Sequence, residues 1–323
     1  MSATPESGNG SWPVHSPARA PSNRLDFRQK RSVGIITFVA LGLFLLMRWL
    51  PTGTNLSHMD FRVAGKGALE MCDPANPQFI PVVAVRSPVE ATLRSAEEPQ
   101  LNKETVFTLT LRTASGKPIA SEDLLVSHTR KLHLLVVDPT LQDYQHIHPE
   151  PGRRAGEWVF SLKPAKPGVY RVFADFTPVV TQRGLYASAD FTVKGPVISV
   201  MRTTNNDVQT RGFVFTLETP ELFRAGVPAD LRLRIESPGE QKFPVQLQPV
   251  MGAFAHVVAF DEGRTGFAHL HPQETDLTEA PDALRPVLHF KITIPTAGRY
   301  VIWAQVNLAG DEVFVPFWLD VVP

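Results

Sequence analysis

The chain has 323 residues, of which 32 are basic and 32 acidic, so its formal net charge is zero. This balance excludes a nucleic-acid-binding protein that works through a strongly basic surface. Hydrophobic residues make up 43% of the chain, which is enough to form real cores. A single cysteine excludes an intramolecular disulfide framework and a thiolate-rich metal cluster, whereas the ten histidines require an explanation.

The N-terminal segment predicts a membrane anchor. Residues 1–31 are rich in Ser, Pro, Gly and Asn, which is typical of a disordered tail. Residues 33–47 (VGIITFVALGLFLLM) carry no charge, and Arg48 and Trp49 follow as interfacial anchors. We expect an uncleaved, single-pass signal anchor over residues 32–50; the alternative is the apolar region of a cleaved signal peptide. Basic residues crowd its N-terminal flank, so the tail is expected in the cytoplasm and the rest of the chain outside, periplasmic or extracellular.

After a linker at 51–80, the sequence is typical of antiparallel β structure. Short Val, Leu and Phe runs alternate with Pro and Gly, and no long helical periodicity appears. We therefore predict an all-β fold after the transmembrane helix, with two tandem antiparallel β-sandwiches of Ig-like or cupredoxin-like type. The first sandwich is expected at 81–195 and the second at 196–323.

The two predicted sandwiches repeat one pattern. KLHLLVVD at 131–138 matches FAHVVAFD at 254–261, and HIHP at 146–149 matches HLHP at 269–272. The order and spacing of these matches indicate an internal duplication. Both copies carry the same histidine spacing, H-x12-H-x-H-P, formed by His133, His146 and His148 and again by His256, His269 and His271.

This spacing places three imidazoles on one face of a β-hairpin. A symmetric turn would put His133 opposite His146 and His256 opposite His269. The third histidine of each copy lies two residues further on, and so points to the same side of the sheet. Three neutral imidazoles that converge in this way suit zinc or copper. The sequence therefore predicts one three-histidine metal site per sandwich.

Several residues could supply a fourth ligand. In the first copy these are Asp175, which we include among the predicted metal ligands, and Glu150; in the second copy they are Gln305 and Glu274. Two further side chains occupy matching places five residues before the strand histidines, namely His128 and Met251. Both are copper-competent; if the strand extended that far, the odd offset would point them to the opposite face.

The first copy resembles a family of bacterial extracytoplasmic β-sandwich domains associated with heavy-metal, especially copper, handling. The resemblance rests on the apolar strand with His133, the HIHP segment and the following PGVYRVFADF run at 167–176. It covers about residues 105–193 and, more weakly, 229–321. It implies a cupredoxin-like or Ig-like sandwich with a copper role for the three histidines. The second copy departs from the family pattern at one position, where Gln305 replaces the Asp175 of the first copy.

Two other classes of function stay open. The tandem sandwiches could form a non-metal adhesion or assembly module, for which another envelope protein is the expected partner. A hydrolase or oxygenase could use the open position of a three-histidine site, but no H-E-x-x-H, G-x-S-x-G, Walker or Rossmann pattern occurs in its required context. We therefore expect a binding protein rather than an enzyme, with the membrane as its clearest partner and no nucleic acid. The remaining residues of interest are expected to be structural or solvated: His15, His58, His289 and Cys72.

Overall fold

The computed structural model describes residues 26–49, 54–61, 77–196, 203–240 and 242–323. Most of the predicted cytoplasmic tail, with His15, lies outside the described residues, as do Cys72 and much of the predicted linker. Among the described residues, strands dominate, and the fold class is confirmed: antiparallel sheets in two repeated domains, with one apolar helix before them.

The N-terminal helix α1 spans Phe27–Trp49. It begins where Asp26 and Gln29 cap it, because the Asp26 carboxylate accepts from the Gln29 backbone N–H at 2.7 Å. Residues 27–31, predicted to belong to the tail, are therefore helical. At the α-helical rise the 23 residues extend about 34 Å. The segment Phe27–Met47 has the length and mean hydropathy of a helix that can cross a membrane.

The first sandwich follows the short 3-10 helix η1 at His58–Phe61. Its strands in chain order are β1 (Val89–Ser95), β2 (Thr105–Thr113), β3 (Leu132–Val137), β4 (Tyr144–Ile147), β5 (Glu150–Pro151), β6 (Glu157–Leu162), β7 (Gly168–Phe176) and β8 (Leu185–Val193). One sheet has the order β1-β2-β6-β5 and the other β4-β3-β7-β8. A second 3-10 turn, η2, lies at Ser121–Asp123, before β3.

The second sandwich repeats this plan. Its strands are β9 (Asp207–Thr210), β10 (Phe213–Glu218), β11 (Pro228–Glu236), β12 (Leu247–Gln248), β13 (Ala255–Asp261), β14 (Phe267–Leu270), β15 (Val287–Thr293), β16 (Gly298–Leu308) and β17 (Asp311–Val321). One sheet has the order β15-β11-β10-β9. The other has the order β12-β16-β13-β14, with β17 added along β16. Both sandwiches close over apolar cores in which alternate strand residues point inward.

The strands β3 and β13, which carry the first histidine of each triad, are buried on both faces. In β3, Leu132, Leu134 and Val136 enter the core of the first sandwich, whereas Leu135 and Val137 belong to a separate apolar cluster. That cluster also contains side chains of the second sandwich, among them Phe260 and Trp303. The two sandwiches therefore meet through the sheets that hold β3 and β13, and we call this contact the inter-sandwich interface.

Part of the predicted linker is built into the sandwiches. Leu56 and Phe61 are buried in the core of the first sandwich. Ile80 pairs with the second sandwich, where its N–H donates to the carbonyl oxygen of Phe267 at 2.8 Å. Gly266 permits this approach, since a Cβ there would lie 1.9 Å from the carbonyl oxygen of Ile80.

Candidate metal centre

The predicted hairpins form, but their register differs from the prediction by two residues. In the first copy His146 pairs with Leu135, so that continuing the ladder places His133 opposite His148 rather than His146. In the second copy His269 pairs with Val258 in the same way. The symmetric-turn pairings were therefore wrong. A shift of two residues keeps every side chain on its face, because strand side chains alternate with period two.

The turn between β3 and β4 explains this register. It has six residues, 138–143, organised by the buried carboxylate of Asp138. That carboxylate accepts from the backbone N–H groups of Thr140, Gln142 and Asp143 at 2.7 to 2.8 Å. Asp261 does the same in the second copy, where it accepts from the backbone N–H groups of Thr265 and Gly266. The sequence-based prediction placed the centre of each turn by symmetry, and it did not include these side-chain hydrogen bonds.

The histidines of the first copy converge as predicted, and we call them triad one: His133, His146 and His148. Nδ1 of His133 lies 3.1 Å from Nε2 of His146 and 3.1 Å from Nε2 of His148. Their candidate ligand atoms all lie within 4.8 Å of one another. Three ring nitrogens at this spacing can bind one ion at ordinary metal–nitrogen distances.

The histidines of the second copy form triad two: His256, His269 and His271. Nδ1 of His256 lies 3.3 Å from Nε2 of His269. The candidate ligand atoms of this triad also lie within 4.8 Å of one another. Nε2 of His271 is buried without a hydrogen-bond partner. A buried imidazole nitrogen of this kind is suited to donate its lone pair to a cation.

Backbone carbonyls fix the tautomer of one histidine in each triad. Nε2 of His133 lies 3.0 Å from the carbonyl oxygen of Ser127, and Nε2 of His256 lies 3.1 Å from that of Val250. A carbonyl oxygen can only accept, so both Nε2 atoms carry the proton. Each Nδ1 therefore presents its lone pair to the centre of its triad.

The middle histidine of each triad is oriented by the opposite sandwich. Nδ1 of His146 lies 2.9 Å from Oε1 of Gln305, whose Nε2 donates to Glu312 at 2.8 Å. Nδ1 of His269 lies 3.2 Å from Oδ2 of Asp175. Both Nδ1 atoms donate in these bonds, so both Nε2 atoms turn a lone pair inward.

Burial keeps these imidazoles neutral. Desolvation lowers the pKa of His148 to about 4 and of His256 to about 3. It also lowers the pKa of His133, and it places the pKa values of His146 and His269 well below their usual range, with help from the neighbouring histidines. Neutral imidazole is the form that binds metal, so the rings are held in the binding form without a proton to displace.

Asp175 lies beside both triads, and it pairs with His133 across β3 and β7. It was expected as a fourth ligand of triad one, but its carboxylate contacts His269 of triad two. Desolvation raises the pKa of Asp175 to about 6, against the opposing effect of His133. In the structure the Asp175 carboxylate orients His269 and lies outside the two groups of three converging histidines; its role as a metal ligand stays a prediction.

The other fourth-ligand candidates also have different roles. Gln305 contacts the opposite triad through His146. Glu150 is exposed and lies 3.7 Å from Arg130. Glu274 accepts from His289 Nδ1 at 2.6 Å, in a pair apart from the triads. His58 lies in η1.

His128 is a residue that the sequence pattern did not assign to the site. Its ring stacks on that of His271, with 3.5 Å between ring centres and 18° between planes. It thus crosses from the first sandwich to triad two, at a non-glycine position with φ of 47°. The sequence signal was its match to Met251. Strand alternation does not apply to His128, because residues 127–130 form a turn rather than a strand.

A cavity of about 580 Å³ adjoins both triads. Its walls include His133 from triad one, His269 and His271 from triad two, and Asp175 and His128 beside them. Apolar groups such as Phe267 complete the lining. A cavity of this size gives ions and small molecules a route to the ring nitrogens.

The fold and the centre together define a two-domain β-sandwich protein with one histidine triad per domain. The chain belongs to the family described as Domain of unknown function (DUF8832), which matches residues 84–195 and again 207–323. The double match bears out the internal duplication. Comparison with curated proteins finds no match.

The solved structures that this chain matches include a set of fibronectin-like modules. The fibronectin(III)-like modules of Clostridium thermocellum CbhA are 12% identical, with 72% of this chain and 94% of that chain covered. The TM-score is 0.19, so the likeness carries no argument. The fold class therefore rests on the sheets described above.

Proposed function

We propose that this protein is a membrane-anchored, extracytoplasmic metal-binding protein whose two histidine triads hold copper or zinc for buffering, sensing or delivery. One observation carries the proposal. In each triad two ring nitrogens face each other at 3.1 or 3.3 Å, although the other nitrogen of each ring already carries the proton. Two lone pairs at that distance repel each other unless a cation accepts both.

The chemistry of the ligands limits the choice of metal. All six candidate ligands are neutral imidazoles, which suit copper and zinc and are poor ligands for calcium or magnesium. The resemblance of the first copy to copper-handling domains supports copper. A membrane location is supported by α1, and the basic residues at its N-terminal end favour an extracytoplasmic position for the sandwiches.

The proposal is one of binding and not of catalysis. A hydrolase would need a general base beside a triad, for which Glu150 and Asp175 are the candidate carboxylates. Glu150 lies next to Arg130 on the surface, and Asp175 is engaged with His269. These contacts support binding rather than catalysis, because each carboxylate already has a partner.

Metal titration of the full-length protein in detergent tests the proposal. After removal of metal with chelator, Cu(I), Cu(II) and Zn(II) are titrated against competing indicators. We expect submicromolar binding for at least one ion, retained in His289→Ala and lost when all six triad histidines are replaced by alanine. Binding only at millimolar concentration, or binding unchanged in the six-alanine variant, would refute it.

A second measurement keeps the proposal testable if the six-alanine variant does not fold. Metal that binds only the folded state raises the melting temperature of the unmutated protein by mass action. An adhesion or assembly module without a metal site would melt at the same temperature in chelator and in excess metal. That result would favour the module.

A further inference from the structure

The two triads are neighbours in one interface. The ring centres of His146 and His269 are 5.2 Å apart, and those of His146 and His256 are 5.7 Å apart. Within the triads the corresponding separations run from 4.7 to 5.5 Å. The ring-centre distances between the two triads are therefore similar to those within each triad. Ions held by the two triads would lie only a few ångströms apart.

Each triad is also incomplete without the opposite sandwich. Triad one needs Gln305 of the second sandwich to orient His146, and triad two needs Asp175 of the first sandwich to orient His269. Such outer contacts fix the ring orientation and basicity of metal-binding histidines. The exchange is reciprocal, so docking of the sandwiches supplies one orienting contact to each triad.

We propose that the two triads form a single dinuclear copper centre, loaded as two Cu(I) ions and shared by the two sandwiches. The inference rests on the proposed function, because it assumes that the triads bind metal. It goes further in joining two predicted sites into one and in choosing the ion.

Charge selects Cu(I). The six imidazoles are neutral, and among the described residues the carboxylate that contacts their rings is that of Asp175. Two zinc ions would bring four positive charges into a largely buried interface, whereas two Cu(I) ions bring two. Even with the screening of bulk water, two divalent ions a few ångströms apart weaken each other's binding by about 100-fold or more. Because the repulsion scales with the product of the charges, the free-energy penalty for two monovalent ions is about a quarter of that for two divalent ions.

The cavity beside the triads supplies the route of entry. It is lined by residues of both triads, so both ions can be reached from one side. His128 is exposed at this cavity and stacks on His271. Access of this kind is needed for a buried centre that is loaded after folding.

Stoichiometry separates one dinuclear centre from two independent sites. Full-length protein is titrated with Cu(I) and, separately, with Zn(II). Two variants that each keep one triad are titrated in the same way: His256→Ala with His271→Ala, and His133→Ala with His148→Ala. We expect two Cu(I) per unmutated chain and one per variant. We expect one tight Zn(II) for all three proteins, with a second Zn(II) in the unmutated chain bound about 100-fold or more weakly.

Two results would overturn the dinuclear centre while leaving metal binding intact. In the first, the unmutated chain binds its second Zn(II) with the same affinity as each one-triad variant binds its single Zn(II). The other is a single Cu(I) per unmutated chain. Absence of binding by every ion would instead refute the proposed function. Melting curves of the variants establish that they are folded, and His289→Ala serves as the matched histidine control.

Discussion

At the residue scale, the arrangement depends on which ring nitrogen of each histidine carries the proton. Ser127 and Val250 set this for His133 and His256 through backbone carbonyls. The side chains of Gln305 and Asp175 set it for His146 and His269. Because the carbonyls are backbone groups, the side-chain partners are the ones that mutation can test.

Asp175→Asn is expected to weaken metal binding at triad two by about 10- to 100-fold, because His269 loses its charged partner. The effect at triad one should be smaller, since Asp175 is not bonded to its rings. The two one-triad variants allow each affinity to be measured separately. Asp190→Asn, which removes a carboxylate paired with Arg171, is the matched control. A larger loss at triad one than at triad two would contradict the crossed arrangement.

The metal-free protein is expected to lose stability as the pH falls from 7 to 5. Burial lowers the pKa of His148 to about 4 and of His256 to about 3, against an ordinary value of 6.5. Between these values the unfolded chain binds more protons than the folded chain, so the free energy of unfolding decreases as the pH falls. Asp175, with a pKa raised to about 6, acts in the opposite direction as a single group.

Urea unfolding of the metal-free protein at pH 7 and pH 5 measures this effect. Most carboxylates titrate below this window and contribute little to the difference. The six-alanine variant should show a shallower dependence. A free energy of unfolding that is equal or greater at pH 5 would contradict neutral, buried imidazoles.

At the scale of elements, each hairpin places its histidines through strand alternation and its turn. Strand alternation determines the face of the sheet on which the histidines lie, and the six-residue turn determines which residues of the two strands pair. The two-residue shift from the symmetric pairing changes which residues are opposite, and leaves the face unchanged. The convergence of each triad could therefore be predicted from the sequence although the pairing was wrong.

Long-range contacts were beyond the reach of the sequence pattern. The bond between Asp175 and His269 joins residues 94 positions apart, and that between His146 and Gln305 spans 159. Alternation could indicate that β3 is buried on both faces, but not what covers its outer face. Two features were missed for the same reason: the juxtaposition of the triads and the place of His128.

Asp138→Ala is expected to destabilise the protein by roughly 2–4 kcal/mol, because three backbone N–H groups of the turn lose their acceptor. Affinity at triad one should also fall, since the turn sets the positions of His146 and His148. Urea unfolding and metal titration measure the two effects. The surface variant Glu150→Ala should change stability by no more than about 0.5 kcal/mol. Asp138→Ala with the same small change would show that the turn is held by other contacts.

At the scale of the whole molecule, duplication has placed two equivalent sheets face to face. Apolar side chains fill this contact, with Phe173 of the first sandwich stacked on Phe260 of the second at 6.0 Å between ring centres. Arg171 and Arg264 bridge it by donating to backbone carbonyls of the opposite sandwich. The triads lie on the same outer faces, so an interface between domains also forms the candidate metal centre.

Phe260→Ala is expected to reduce metal affinity although it removes no ligand. Phe260 is fully buried in the inter-sandwich interface, and its loss should cost about 3–5 kcal/mol and loosen the docking that completes both triads. Phe215→Ala is a matched control, because Phe215 is equally buried but lies within the core of the second sandwich. Equal losses of affinity in the two variants, at equal loss of stability, would contradict the role of the interface.

Anomalous X-ray diffraction at the copper edge, from crystals of the Cu(I)-loaded protein, tests the central claim most directly. We predict two peaks in the inter-sandwich interface, a few ångströms apart. One should lie within bonding distance of His133, His146 and His148, and the other of His256, His269 and His271. No peak at the triads, or copper bound only elsewhere on the chain, would contradict the account.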